Sequence, residues 1–268
     1  MKTVLSIAGS DPSAGAGIQQ DLKTITALGC YGATVITALT SQNTMGVSAV
    51  MPVPASVVAS QLQAVVDDLD VCAIKIGMIP NREVAEAITE TLSPYLAEKP
   101  IPVICDPVMV STSGHRLMAE DCIEYIRHHL FPLCTLITPN LPETEVLTNQ
   151  RLPLPSDIDR AGQWLVDRYP CAFLLKGGHD ETSADTATDR LYCTDGSVHT
   201  FSMPRLHSRN LHGTGCTLSS AIAARMAQGD SLPAAVAAAK TFVSDAIQRS
   251  AGLAIGHGNG PLILSYHE

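Results

Sequence analysis

Ten residues near the C-terminal end could do chemistry together: His212-Gly213-Thr214-Gly215-Cys216-Thr217-Leu218-Ser219-Ser220-Ala221. Two glycines stand two apart, just before a helical run from Thr217 to Met226. Glycine lets the backbone turn without a Cβ clash. The first amides of a helix lack internal partners and carry the positive end of its dipole. Gly213, Thr214 and Gly215 therefore read as an anion cradle. Cys216 falls in the first helical turn, where a thiol is expected to shift toward thiolate. An anion hole beside a base suits phosphoryl transfer to a hydroxyl. A glycine-rich loop with a small buried cysteine is the plain alternative.

Other chemical residues arrive at the ends of apolar runs. Pro102–Asp106 reads as a strand that delivers Asp106, and Leu136–Thr138 as one that leads to Asn140 and Glu143. Two carboxylates at one rim could hold Mg²⁺ partly through water; each could equally cap a helix or face solvent. Lys176 ends the run Ala172–Lys176 before two glycines, placed to reach a phosphate or to sit on the surface. Gln42 follows Ala33–Leu39 and carries a donor and an acceptor on one amide. That suits the edge of a heteroaromatic ring, and equally a backbone cap.

The elements that must position these residues alternate. Thr3–Ala8 reads as a buried first strand, leading through Gly9–Gly17 into a helix over Ile18–Leu28. Ala73–Met78 is another strand, and Val47–Val53 a short edge or flap strand. Helices are expected over Pro54–Val66, Glu83–Leu96, Glu120–Leu130, Asp157–Arg168 and Leu232–Ser250. Asp195-Gly196 between two apolar runs signals a hairpin. Residues 180–189 read as polar and mobile. The pattern implies one α/β domain over residues 1–268, with a mostly parallel sheet and helices on both faces.

The bulk numbers exclude several classes. Net charge is −9 over 268 residues, which disfavours a nucleic-acid partner. Only 16% of residues are charged and 46% are hydrophobic, as expected for strands covered on both faces. Eight cysteines form no CxxC pair, so zinc spacing is absent and reduced, cytosolic thiols are expected. No signal peptide or membrane span is expected. Gly15-x-Gly17 hints at a dinucleotide loop, but Gln20 fills the third glycine position, and no Walker A lysine motif is present.

Seven stretches occur in a telling order: Ile7–Ser13, Ile36–Thr44, Lys75–Met78, Asp106–Met109, Thr138–Glu143, Lys176–His179 and His212–Thr217. Together, over roughly residues 3 to 261, they resemble the bacterial hydroxymethylpyrimidine/phosphomethylpyrimidine kinases, a family of the ribokinase superfamily. The resemblance implies a ribokinase-like three-layer fold, ATP and Mg²⁺ as cofactors, and two successive phosphorylations of a pyrimidine alcohol in thiamine biosynthesis. It implies that Ala16, Gln42, Met78 and Val108 form the pyrimidine pocket. It assigns Asp106 and Glu143 to Mg²⁺, Asn140 and Lys176 to the triphosphate, and Cys216 to the base. Relatives of this type are often homodimers. Ser111-Thr112 depart from the Ala-Lys that relatives often carry, so a lid contact to phosphate would be missing or supplied by His115 or Arg116. Pyridoxal kinases of the subgroup have a cysteine at the position that Ser111 takes here. A pyridoxal/pyridoxine kinase is the alternative on the same fold. A non-catalytic pyrimidine-phosphate sensor and a nicotinamide-dependent oxidoreductase are weaker ones.

Overall fold

The computed structural model describes residues 1–109, 118–177 and 185–264. Nine strands form one sheet in the order β3-β2-β1-β4-β5-β6-β7-β8-β9. They are β1 Thr3–Ser10, β2 Tyr31–Asn43, β3 Gly46–Pro52, β4 Val71–Ile76, β5 Val103–Cys105, β6 Leu136–Ile137, β7 Ala172–Leu175, β8 Thr186–Tyr192 and β9 Val198–Pro204. β2, β1, β4, β5, β6 and β7 run parallel. β3 pairs antiparallel with β2, and β7, β8 and β9 pair antiparallel in series.

Alternation along the strands builds two cores. Leu5, Ile74, Val103, Ile137 and Phe173 face one way, onto helices α2 (Ala55–Asp68), α3 (Arg82–Glu98), α4 (Glu120–Tyr125), α5 (Leu141–Thr148) and α6 (Pro155–Arg168). Val4, Ala73, Ile104, Leu136 and Ala172 face the other, onto α1 (Gly17–Ala27), α7 (Thr214–Ala227) and α8 (Leu232–Ser250). A sheet buried on both faces needs apolar side chains at consecutive positions, which is why these strands read as unbroken apolar runs. The alanines of α7 and α8 allow close helix approach, and Ala221, Ala224, Ala235 and Ala239 are fully buried.

The layered α/β expectation holds, with local corrections. β2 runs on through Gln42 and Asn43, so Gln42 stands on an extended ribbon rather than in a loop. Residues 186–189, expected to be mobile, belong to β8; residues 180–184 lie outside the described part. The helix after Glu120 continues as a π-turn, Ile126–Leu130, and a 3₁₀ turn, Phe131–Leu133, where Pro132 ends it. The Asp195-Gly196 hairpin forms, with Gly196 at φ 82°.

Candidate active site

Two glycine loops far apart in the sequence meet backbone to backbone. Gly213 caps α7 at φ 83°, and a Cβ there would lie 1.9 Å from the Gly15 carbonyl oxygen. Gly17 opens α1 at φ 58°, and its Cβ would lie 2.3 Å from the Gly9 oxygen. No other residue fits either position. At the start of α7, the Thr214 amide donates to Leu211 O at 3.2 Å and the Thr217 amide to Gly213 O at 2.8 Å. Between them, the Gly215 and Cys216 amides have no carbonyl acceptor among the described residues. Of the expected cradle, the Thr214 amide is taken by Leu211, while the two unbonded helix-start amides stand at the C-terminal rim of a parallel sheet, where α/β folds bind ligands.

Charged side chains surround it. A Cβ on Gly215 would lie 3.1 Å from Asp106 Oδ2 and 3.4 Å from Lys176 Nζ. Lys176 Nζ donates to Asp106 Oδ1 at 2.7 Å, and Thr138 Oγ1 donates to the same oxygen at 3.1 Å. Burial works against the Lys176 ammonium, but Asp106 and Glu143 outweigh it and hold its pKa above the usual value. Glu143 is buried, which pushes its carboxyl up to about 7; Lys176 opposes the shift and Asp106 adds to it.

Asn140 and Glu143 form a reciprocal cap on α5. The Glu143 amide donates to Asn140 Oδ1 and the Asn140 amide to Glu143 Oε2, both at 2.9 Å. The capping alternative thus holds for Glu143, and it occupies the side-chain oxygen of Asn140, the residue expected to touch the triphosphate, leaving the side-chain nitrogen for that role. Among the described residues, no group of three or more His, Cys, Asp or Glu could hold a metal. The donor set here is two carboxylates, with Asp106 Oδ2 at the cradle. It fits a hard cation that keeps water and takes further oxygens from phosphate, as Mg²⁺ does.

The expected thiolate is not found. Burial pushes the Cys216 thiol up to about 11, although Lys75 pulls the other way. The helix start is a weak lever here against loss of water around sulfur. Lys75 itself is wholly buried and bonds both oxygens of Asp21, at 2.9 and 2.8 Å. Ser6 and Ser220 hydroxyls donate to the same carboxylate at 2.6 and 2.8 Å. Ser220 lies one helical turn beyond Cys216, so this buried ion pair underlies the cradle.

The expected ring pocket is spread around the same rim. Ala16 caps α1 and its amide donates to Asp11 Oδ2 at 2.9 Å. The Met78 sulfur lies 3.2 Å from where a Gly9 Cβ would stand. The Val108 amide donates to the Asp106 carbonyl at 2.9 Å. Gln42 stands 3.2 Å from His212 Nε2, at the lip of a groove of about 620 Å³ that Pro12, Ser41 and Val47 also line. Ser111, Thr112, His115 and Arg116 lie outside the described residues, as do Gly178 and His179.

A family model described as phosphomethylpyrimidine kinase matches residues 11–263. The chain belongs to that family. It is 45% identical over 260 residues to a hydroxymethylpyrimidine/phosphomethylpyrimidine kinase of Streptomyces coelicolor, covering 97% of this chain and 93% of the relative. It is 44% identical over 257 residues to a thiamine biosynthesis bifunctional protein of Geobacter sulfurreducens, covering 96% of this chain and 51% of that one. The pyridoxal kinase of Staphylococcus aureus, solved with ADP, superposes with a TM-score of 0.87 at 32% identity, covering 98% of this chain and 93% of the other. Fold and family are thus those of the ribokinase-like kinases.

Three residues of this chain show their weight only in three dimensions: Asp11, Lys75 and His212. A lysine inside the apolar run of β4 was a signal, since a buried charge demands a partner. The partner, Asp21, sits on the helix face otherwise marked by Ile18, Leu22 and Ile25, where periodicity alone predicts an apolar contact.

Proposed function

We propose that this chain phosphorylates 4-amino-5-hydroxymethyl-2-methylpyrimidine with ATP, and then the monophosphate to the diphosphate, in thiamine biosynthesis. The observation that carries it is the cradle at Gly213–Cys216 facing Asp106 and Lys176 in a member of this family. In the first step the hydroxymethyl oxygen attacks the γ-phosphorus, the bond to the β,γ-bridging oxygen breaks, ADP leaves, and the hydroxyl proton passes to Cys216 in its thiolate form. The free amides of Gly215 and Cys216 stabilise the migrating phosphoryl charge. Lys176 offers a cation to the phosphates and Asn140 its amide nitrogen. Asp106 and Glu143 would hold Mg²⁺, which supplies charge neutralisation on the phosphate oxygens when bound. Ala16, Gln42, Met78 and Val108 frame the ring.

A thiol near 11 is almost wholly protonated at neutral pH. Base catalysis then falls to a small thiolate fraction, and the first step should quicken as pH rises. The second step starts from an anionic phosphate and has no such need.

The flap formed by β2 and β3 supports a homodimer. Every residue of β3 is exposed, and Met45 and Met51 are 70% and 59% exposed. A two-stranded ribbon with an uncovered apolar side is marginal alone, so a second copy is the fitting cover. Eight unpaired cysteines support a reducing, cytoplasmic setting; no helix among the described residues is long and apolar enough to cross a membrane. One continuous sheet supports a single domain.

The likeness to pyridoxal kinase makes pyridoxal the competing acceptor. Incubation with ATP and either acceptor, followed by mass, tests the reading. The pyrimidine alcohol should go to mono- and then diphosphate much faster than pyridoxal to its phosphate. The reverse order would overturn it.

A further inference from the structure

His212 Nε2 stands between two partners, 3.0 Å from Asp11 Oδ2 and 3.2 Å from the Gln42 amide, whose nitrogen is turned toward the ring and whose oxygen is turned toward Thr40. The nitrogen carries either a proton or a lone pair. Asp11 decides which. Its buried carboxylate accepts the Ser13 amide and hydroxyl at 2.8 and 2.7 Å, and the Gly15 and Ala16 amides at 3.1 and 2.9 Å. Burial alone would raise its pKa, but the bond to His212 and those from Ser13 and Ala16 hold it down at about 2. A carboxylate so held only accepts, so His212 Nε2 must carry the proton.

Gln42 must then offer that proton its carbonyl oxygen. A half-turn of the terminal torsion exchanges the oxygen and nitrogen of a glutamine amide. With Oε1 toward His212, the amide nitrogen falls beside Thr40 Oγ1, which lies 3.2 Å from the amide. Thr40 spends its own proton on the Ser10 carbonyl at 2.9 Å, so its oxygen is free to accept. Every donor then meets an acceptor, the single Nε2 proton being shared between Asp11 Oδ2 and the Gln42 oxygen. The opposite orientation aims an amide N–H at the ring N–H, or, with a lone pair there instead, sets that lone pair against the Asp11 carboxylate.

We propose that His212, locked by Asp11, is a positioning residue for substrate choice, because it fixes which way Gln42 presents its amide. One lone pair and one N–H of Gln42 remain, each in a set place. They match a heteroaromatic edge with an amino group beside a ring nitrogen. A turned amide would set N–H against N–H. The inference rests on the reading that Gln42 meets the acceptor ring.

Two-bond ¹H–¹⁵N correlations on histidine-labelled, ligand-free protein read the proton directly, with His212 assigned by its loss in His212→Gln. A proton on Nε2 is the expected result; an unprotonated Nε2 overturns the proposal without touching the kinase reading. Steady-state kinetics with the aminopyrimidine alcohol supply the second arm. His212→Leu should raise KM roughly tenfold, with kcat changed less. His212→Gln, which keeps an N–H near the same place, should restore KM to within about twofold. If Gln42→Leu raises KM and His212→Leu does not, positioning by His212 is wrong and the ring contact stands. If Gln42→Leu leaves KM unchanged, the ring contact itself fails, and the specificity role with it.

Discussion

At the scale of single residues, the site is a set of charges held in conflict with burial. Glu143 illustrates it: its carboxyl titrates near 7 in the folded chain, against 4.5 ordinarily. Raised in the folded state, it costs nothing below about pH 4.5, destabilises the fold progressively as pH climbs from there to about 7, and costs a constant amount above that. Glu143→Gln should therefore raise the melting temperature relative to the parent more at pH 8 than at pH 5.5, as thermal denaturation at the two pH values would read. An equal offset at both would show that Glu143 ionises freely. The residue types at the rim were legible in the sequence, because acids, lysine and cysteine at strand and helix ends stand out from an apolar background. Their electrical state was not legible. The helix start predicted a reactive thiolate at Cys216, but desolvation depends on what the rest of the chain packs around the sulfur.

At the scale of elements, periodicity located nearly every helix and strand, because both faces of the sheet impose it. It failed where an element leaves the core. β2 continues four residues past Leu39 with one face exposed, and there no apolar run marks the strand. That overhang carries Gln42 and, with β3, displays Val47, Val50 and Met51 to solvent. Val50→Asp should convert a dimer to a monomer in light scattering while leaving the fold intact, since Val50 touches no core. An unchanged mass would remove β3 from the proposed interface. The meeting of the two glycine loops was also hidden. Each glycine was visible, but nothing local says that Gly213 must fit against Gly15.

At the scale of the whole molecule, one buried ion pair ties the first helix, the fourth strand and α7 together. Lys75, Asp21, Ser6 and Ser220 come from four elements, and all four are fully buried. Lys75→Met strands the Asp21 charge and should cost about 3–5 kcal/mol in denaturant unfolding, whereas Lys75→Met with Asp21→Leu should recover much of that. Full additivity of the two losses would contradict a coupled pair. Layer order, parallel sheet and family could be read from the chain; the wiring beneath the cradle required the fold. What the assembled molecule does is tested most directly by supplying the alcohol and the monophosphate separately, with ATP, to the parent and to Cys216→Ala. The parent should turn over both. The variant should lose the first reaction by roughly a hundredfold or more, as removal of a general base does, and keep most of the second. Equal losses on both acceptors would contradict the assignment of Cys216 as the base.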